Sequence, residues 1–195
     1  LSRGRCRRTG QAGSVAAARQ TVGRHPRATA DVGALKVAGT RSADLILWRH
    51  AEAHVAREGQ TDAERALTPK GERQAQRMAE WLNQRLAEST RVLASPALRA
   101  QQTVERLGRP YKTVTALAPD GTVEGLLAAV RWPESNEPML VVGHQPTLGL
   151  VAARLLAGAD QPWSVRKGAV WWLRHRERDG AVQVVLQAMQ ATDLL

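Results

Sequence analysis

A chain of 195 residues, 43% of them hydrophobic, suits one globular domain with some residues left over. Its single cysteine, Cys6, excludes an internal disulfide framework and any zinc site built on several cysteines, and no apolar run reaches the ~18 residues of a membrane span. The net charge of +10 suggests a nucleic-acid partner, but residues 1–43 hold eight Arg and one Lys against Asp31, a net of +8, which leaves residues 44–195 near balance at +2.

Residues 1–43 are rich in Arg, Ala and Gly and show no sustained apolar periodicity, so we expect them to be disordered and the folded domain to occupy residues 44–195. The segment reads as upstream sequence joined by a start site placed too early, as a flexible basic arm, or as an Arg-rich targeting peptide; it lacks the apolar stretch of a secretory signal. The cysteine usage and the lack of a span lead us to expect a cytoplasmic protein.

From residue 44 the elements alternate. Leu45 to Trp48 is a short apolar run, the first strand, and the polar residues 54–67 read as a loop. Thr68 then caps a helix, Pro69 suits its first position, and Glu72 sits near the positive end of its dipole. Ala75, Met78, Ala79, Leu82 and Leu86 recur at helical spacing, which predicts a helix to about residue 87. RVLASP, residues 91–96, reads as a second strand stopped by Pro96, and ALRAQQTVERLG as a helix ending near Gly108. KTVTAL is a weak strand, and TVEGLLAAVRW a short helix stopped by Pro133. PMLVVGH, residues 138–144, is the most strand-like run, and TLGLVAARLLAG is a helix with Gly158 as its stop. Two strands then flank Asp179-Gly180, a hairpin signal. Trp171 and Trp172 read as core and edge packing, and His25, His54 and His175 as surface residues.

This order predicts an α/β fold, a three-layer α/β/α sandwich with a mostly parallel central sheet that the last hairpin extends at one edge. Ligands of such sheets bind beyond the carboxyl ends of the strands. Arg49-His50 ends the first strand, Ser95-Pro96 with Arg99 one turn on ends the second, and Gly143-His144 ends the strongest. None of these strands ends in a carboxylate, so we expect neither a metal nor another cofactor. Two Arg and two His suit a dianionic phosphoryl group. Arginine grips phosphate oxygens in a planar fork at any working pH, and a neutral histidine can attack phosphorus through one ring nitrogen.

Four blocks carry a more specific signal: RHAEA after the first strand, RALTPKGERQAQRMAEWL opening the first long helix, LASPALRAQQT, and VVGHQPTL. Together they resemble the histidine phosphatase superfamily, with its phosphoglycerate mutase-like fold, and more narrowly its SixA-type phosphohistidine phosphatases. The resemblance covers about residues 44–175. It implies that His50 is the nucleophile that becomes phosphorylated, that Arg49 and Arg99 clamp the phosphoryl oxygens, and that His144 stabilises the transferred group. Arg65, just before ALTPKG, matches a position that often borders the pocket.

The superfamily's usual Arg-His-Gly is Arg-His-Ala here, which a backbone with negative φ at Ala51 accommodates. No insertion carries an acid, so Glu52 and Asp120 are the nearest candidates for a proton donor. That shortage, and the shallow site expected of so short a chain, fit a phosphoramidate carried by another protein. The resemblance thus implies a metal-independent phosphatase acting on phosphohistidine of a protein, such as a histidine phosphotransfer domain. Two alternatives stay open: a small-molecule phosphomonoesterase on the same scaffold, and a nucleic-acid-binding module that uses the basic arm.

Overall fold

A computed structural model of the chain describes residues 42–178 and 181–195. The segment 1–41 and the turn residues Asp179 and Gly180 therefore lie outside the described residues. Ten regular elements follow in chain order: β1 (Ser42–Arg49), α1 (Pro69–Asn83), β2 (Arg91–Ala94), α2 (Leu98–Glu105), β3 (Lys112–Thr113), α3 (Val123–Val130), β4 (Met139–Gly143), α4 (Thr147–Ala157), β5 (Val170–Arg178) and β6 (Ala181–Gln190). Single 3-10 turns lie at Asp62–Glu64, Thr115–Leu117 and Thr192–Leu194.

The six strands form one sheet in the order β3-β2-β4-β1-β5-β6. Pairing is parallel from β3 to β1 and antiparallel from β1 to β6, so the predicted parallel sheet with a hairpin at one edge is what the chain builds. The central strands β1 and β4 read as continuous apolar runs because both faces are covered. One face packs Leu45, Leu47, Val141 and Leu173 against Leu126 and Val130 of α3 and Leu148 and Val151 of α4. The other packs Ile46, Trp48, Leu140 and Val142 against Met78 and Leu82 of α1 and Val104 of α2. Each such side chain contributes about 1.5–3 kcal/mol by leaving water. Trp48, wholly buried, also satisfies its indole by donating from Nε1 to Gly168 O at 3.1 Å.

Several boundaries differ from expectation for local reasons. β1 starts at Ser42, two residues before the expected domain edge, because Ser42 and Ala43 pair with Arg176 and His175 of β5. α1 ends at Asn83 rather than near residue 87. Asn83 Nδ2 turns to donate to Leu107 O, and Arg85 N closes a tight turn onto Leu82 O, both at 2.8 Å. Leu86 still reaches the core, but on that turn rather than on the helix. The weak strand KTVTAL shortens to Lys112–Thr113 and passes into a 3-10 turn.

His175 corrects the surface reading. It is 4% exposed and stacks edge-on against Trp132, ring centroids 5.5 Å apart. A histidine alternating among Arg and Glu looks solvated, but the helical layer covers that face of β5. His54 is exposed as expected, and His25 lies outside the described residues. Among the described residues no helix is long and apolar enough to cross a membrane.

Candidate active site

Sheet register assembles the site. Arg49 pairs with Gly143 across the parallel β1–β4 ladder, so His50 and His144 leave adjacent strands at one level. His50 N donates to Gly143 O at 3.1 Å, and the two imidazole centroids stand 5.0 Å apart, tilted by 48°. β2 flanks β4 on its other side; Ser95 N donates to Val142 O at 3.0 Å, and α2 begins three residues later. Arg99, in the first turn of α2, is thereby turned back over His50. The three strand ends singled out in the sequence therefore converge, and His50, Arg99 and His144 are 5%, 3% and 3% exposed.

The geometry selects the tautomer of His50. Its Nδ1 lies 2.7 Å from the Ala51 carbonyl oxygen, which can only accept. Nδ1 therefore carries the proton, and Nε2 holds a bare lone pair. Arg99 Nε donates to that lone pair at 3.3 Å. Burial pushes the His50 pKa down to about 3; the Ala51 carbonyl opposes this, while the charges of Arg99 and Arg49 and neighbouring His144 reinforce it. The imidazole is accordingly neutral at working pH, as a nucleophile must be. Ala51 itself, wholly buried, does not have positive φ, so its methyl group fits where glycine is usual. Its N–H donates to the Thr103 hydroxyl at 3.1 Å, and Thr103 in turn donates to Arg99 O at 2.6 Å, tying the segment that follows His50 to α2.

His144 shares a 2.7 Å hydrogen bond between Nε2 and the Ser95 hydroxyl, while its buried Nδ1 has no hydrogen-bond partner among the described residues. Burial, followed by the Arg99 charge, lowers its pKa to about 4 against an opposing pull from Asp62. Arg49 donates from NH1 to Val165 O at 2.7 Å, and its buried Nε is likewise without a partner there. Burial and then the Arg99 charge lower its pKa, as expected for two guanidinium groups facing one site. Buried donors left over in this way are groups that an anion can satisfy.

Arg65 reaches the site through an intermediary that sequence reading missed. Asp62 accepts Arg65 Nε at 2.9 Å on one carboxylate oxygen and Arg99 NH2 at 2.7 Å on the other, and its carbonyl accepts Arg99 NH1 at 2.6 Å. Burial raises the Asp62 pKa, but Arg99 and Arg65 outweigh it and hold the carboxyl below its usual range. Thr61 and Glu64 close the turn that carries Asp62, Thr61 N donating to the Glu64 carboxylate at 2.9 Å and Glu64 N to Thr61 O at 3.2 Å.

The two candidate proton donors do not join this cluster. Glu52 takes Lys70 at 3.1 Å and the Thr68 hydroxyl at 3.1 Å, contacts that keep it ionised. Asp120 is exposed in the turn before α3 and is bonded to none of the site residues. A cavity of about 410 Å³ lies on the Arg49 side, lined also by Glu52, Lys70, Gln74 and Lys167. A larger one, about 730 Å³, sits among Arg91, Tyr111, Lys112, Arg131 and Met139 at the amino ends of β2 and β4, the wrong edge for ligands of a parallel sheet. Neither is lined by His50, Arg99 or His144.

Comparison with known proteins bears on the family and the fold. A family model described as histidine phosphatase superfamily (branch 1) matches residues 45–120. The phosphohistidine phosphatase SixA of Escherichia coli K12 is 35% identical over 127 residues, covering 60% of this chain and 77% of that protein. A SixA homolog from Haemophilus influenzae is 28% identical over 127 residues, covering 57% and 76%. The solved structure of the protein histidine phosphatase SixA complexed with tungstate superposes with a TM-score of 0.64 at 28% identity, over 77% of this chain and 98% of that one. This chain belongs to the histidine phosphatase superfamily, as a phosphatase of the SixA type.

Proposed function

We propose that the protein hydrolyses phosphohistidine on a protein substrate, without a metal, through a phosphoenzyme formed on His50. The observation that carries this reading is the 2.7 Å contact from His50 Nδ1 to the Ala51 carbonyl, which leaves Nε2 unprotonated inside a ring of cations. In the first step the Nε2 lone pair attacks phosphorus and the P–N bond to the substrate imidazole breaks; the released nitrogen keeps the electron pair, and the ring leaves as neutral imidazole because its other nitrogen carries the proton. In the second, water attacks phosphorus, the P–Nε2 bond breaks, and orthophosphate leaves. Arg49 and Arg99 offset charge on the equatorial oxygens, with Arg65 bordering them. His144 Nδ1, buried and unpaired, is suited to a phosphoryl oxygen once the dianion raises its proton affinity. Arg49 and Arg99 both act on His50 and Arg65 joins Arg99 through Asp62, which supports guanidinium groups as the source of positive charge. Cations hold both nearby carboxyls, Glu52 and Asp62, below their usual range, so neither is a ready acid, which supports a substrate whose leaving nitrogen is readily protonated. The relatives named for phosphohistidine and the one solved with tungstate, an oxyanion, point the same way.

The depth of the nucleophile, 5% exposed, favours one second reading, a small phosphomonoester on the same site. Turnover of a phosphohistidine peptide against a panel of sugar and nucleotide phosphates separates the two. The test of the mechanism is His50→Ala assayed in chelator. We expect wild type to retain activity in chelator and the variant to lose at least about 10³-fold. Full activity in the variant, or loss of wild-type activity on chelation, would overturn it.

A further inference from the structure

The lone pair of His50 Nε2 that accepts from Arg99 Nε is the one that must attack phosphorus. It cannot do both, so this conformation is closed to phosphoryl transfer until Arg99 shifts. Arg99 is held in place from its far end: NH1 donates to the Asp62 carbonyl and NH2 to the Asp62 carboxylate. All three guanidinium nitrogens are thus engaged, and a carboxylate oxygen occupies a direction that a phosphoryl oxygen would use. The second carboxylate oxygen engages Arg65, the other cation expected at the pocket rim. Asp62 is itself 55% exposed on its side chain and sits on the turn closed by Thr61 and Glu64, so it can exchange Arg99 for water at little desolvation cost.

We propose that Asp62 is an internal competitor for Arg99: it closes the clamp over His50 when no phosphoryl group is bound and reclaims the clamp from product orthophosphate. The assignment rests on the roles given to His50 and Arg99 above. It differs in sign from a merely orienting role. If Asp62 served to hold Arg99 ready for the substrate, its removal would weaken anion binding. If it competes, its removal strengthens binding, because a charge-assisted hydrogen bond no longer has to be broken when the anion enters.

The test compares wild type, Asp62→Asn, Asp62→Ser, Asp62→Glu and His50→Ala. Orthophosphate binding is measured by calorimetry, and orthophosphate inhibition by turnover of an aryl phosphate. Asn and Ser variants, verified as folded by thermal unfolding, should bind orthophosphate about tenfold more tightly, the effect of one such bond. Their KM for the aryl phosphate should fall in parallel with kcat no higher than wild type, and Glu should move all values back toward wild type. Orthophosphate affinity that is unchanged or weaker in both Asn and Ser variants would overturn the proposal. Retained turnover in His50→Ala would sink the nucleophile assignment instead, while the calorimetric comparison would still decide whether Asp62 competes.

Discussion

Replacing Gly71 by alanine tests how the first helix supports the segment that follows His50. Gly71 lies in the first turn of α1, where an exposed glycine would be improved by alanine by about 1 kcal/mol of helix propensity. Here a Cβ would stand 1.9 Å from the Glu52 carbonyl oxygen. An ordinary C···O approach is about 3.3 Å, so the Glu52 backbone must retreat by roughly 1.4 Å. That carbonyl accepts the Thr68 N–H at 3.0 Å, the bond that docks the start of α1 onto the segment following His50. Steric strain of about 1–3 kcal/mol plus about 1 kcal/mol for the disturbed bond exceeds the propensity gain, and the net expectation is destabilisation by about 1–3 kcal/mol. Glu52 is two residues from His50, and displacements near 1 Å can cost about 10²-fold in rate. Urea unfolding measures the first effect, and kcat/KM on an aryl phosphate the second. A Gly71→Ala protein as stable and as active as wild type would refute the claim that α1 and the segment that follows His50 are held at backbone contact.

Two further expectations concern the histidines. The folded-state pKa values of His50 and His144, about 3 and about 4, lie below the 6.5 of a free imidazole, so below that pH the unfolded chain binds protons that the folded one refuses. Stability should be fully present above pH 6.5 and decline between pH 6.5 and 5 by up to about 1.4 kcal/mol per pH unit per histidine, and His50→Ala should flatten that slope; a flat profile in urea melts at pH 7, 6 and 5 would contradict this. Ser95→Ala removes the protein hydrogen bond on His144 and should lower kcat about tenfold with a stability cost near 1 kcal/mol, checked by kinetics and thermal melts, whereas an unchanged kcat would show that Ser95 does not orient the ring.

Periodicity and caps made much of the fold legible in advance. LILW, LVVG and the helix opened by Thr68-Pro69 are patterned for one environment each, and Thr68 does accept the Gly71 N–H at 2.9 Å as its cap. Boundaries were less legible where distant groups decide them, as where Asn83, the last residue of α1, turns its side chain to the Leu107 carbonyl 24 residues on. His175 was misread because its burial comes from Trp132, on a segment 43 residues away in sequence.

The same division runs through the site. That His50, Arg49, Arg99 and His144 come together could be expected from the chain alone, because strand ends in a parallel sheet share one edge. The sequence could not say which ring nitrogen of His50 is free, since that depends on the carbonyl of Ala51 folding back to Nδ1. Nor could it single out Asp62 from the other acids of a polar loop. A carboxylate acquires its role from the cations it meets, and Arg65 and Arg99 reach Asp62 from two different parts of the chain only once the sheet has brought them there. Local patterning determined the elements and the reactive residue types, whereas tertiary packing decided protonation, closure and partnership, because those depend on distances of a few ångströms between groups far apart in sequence.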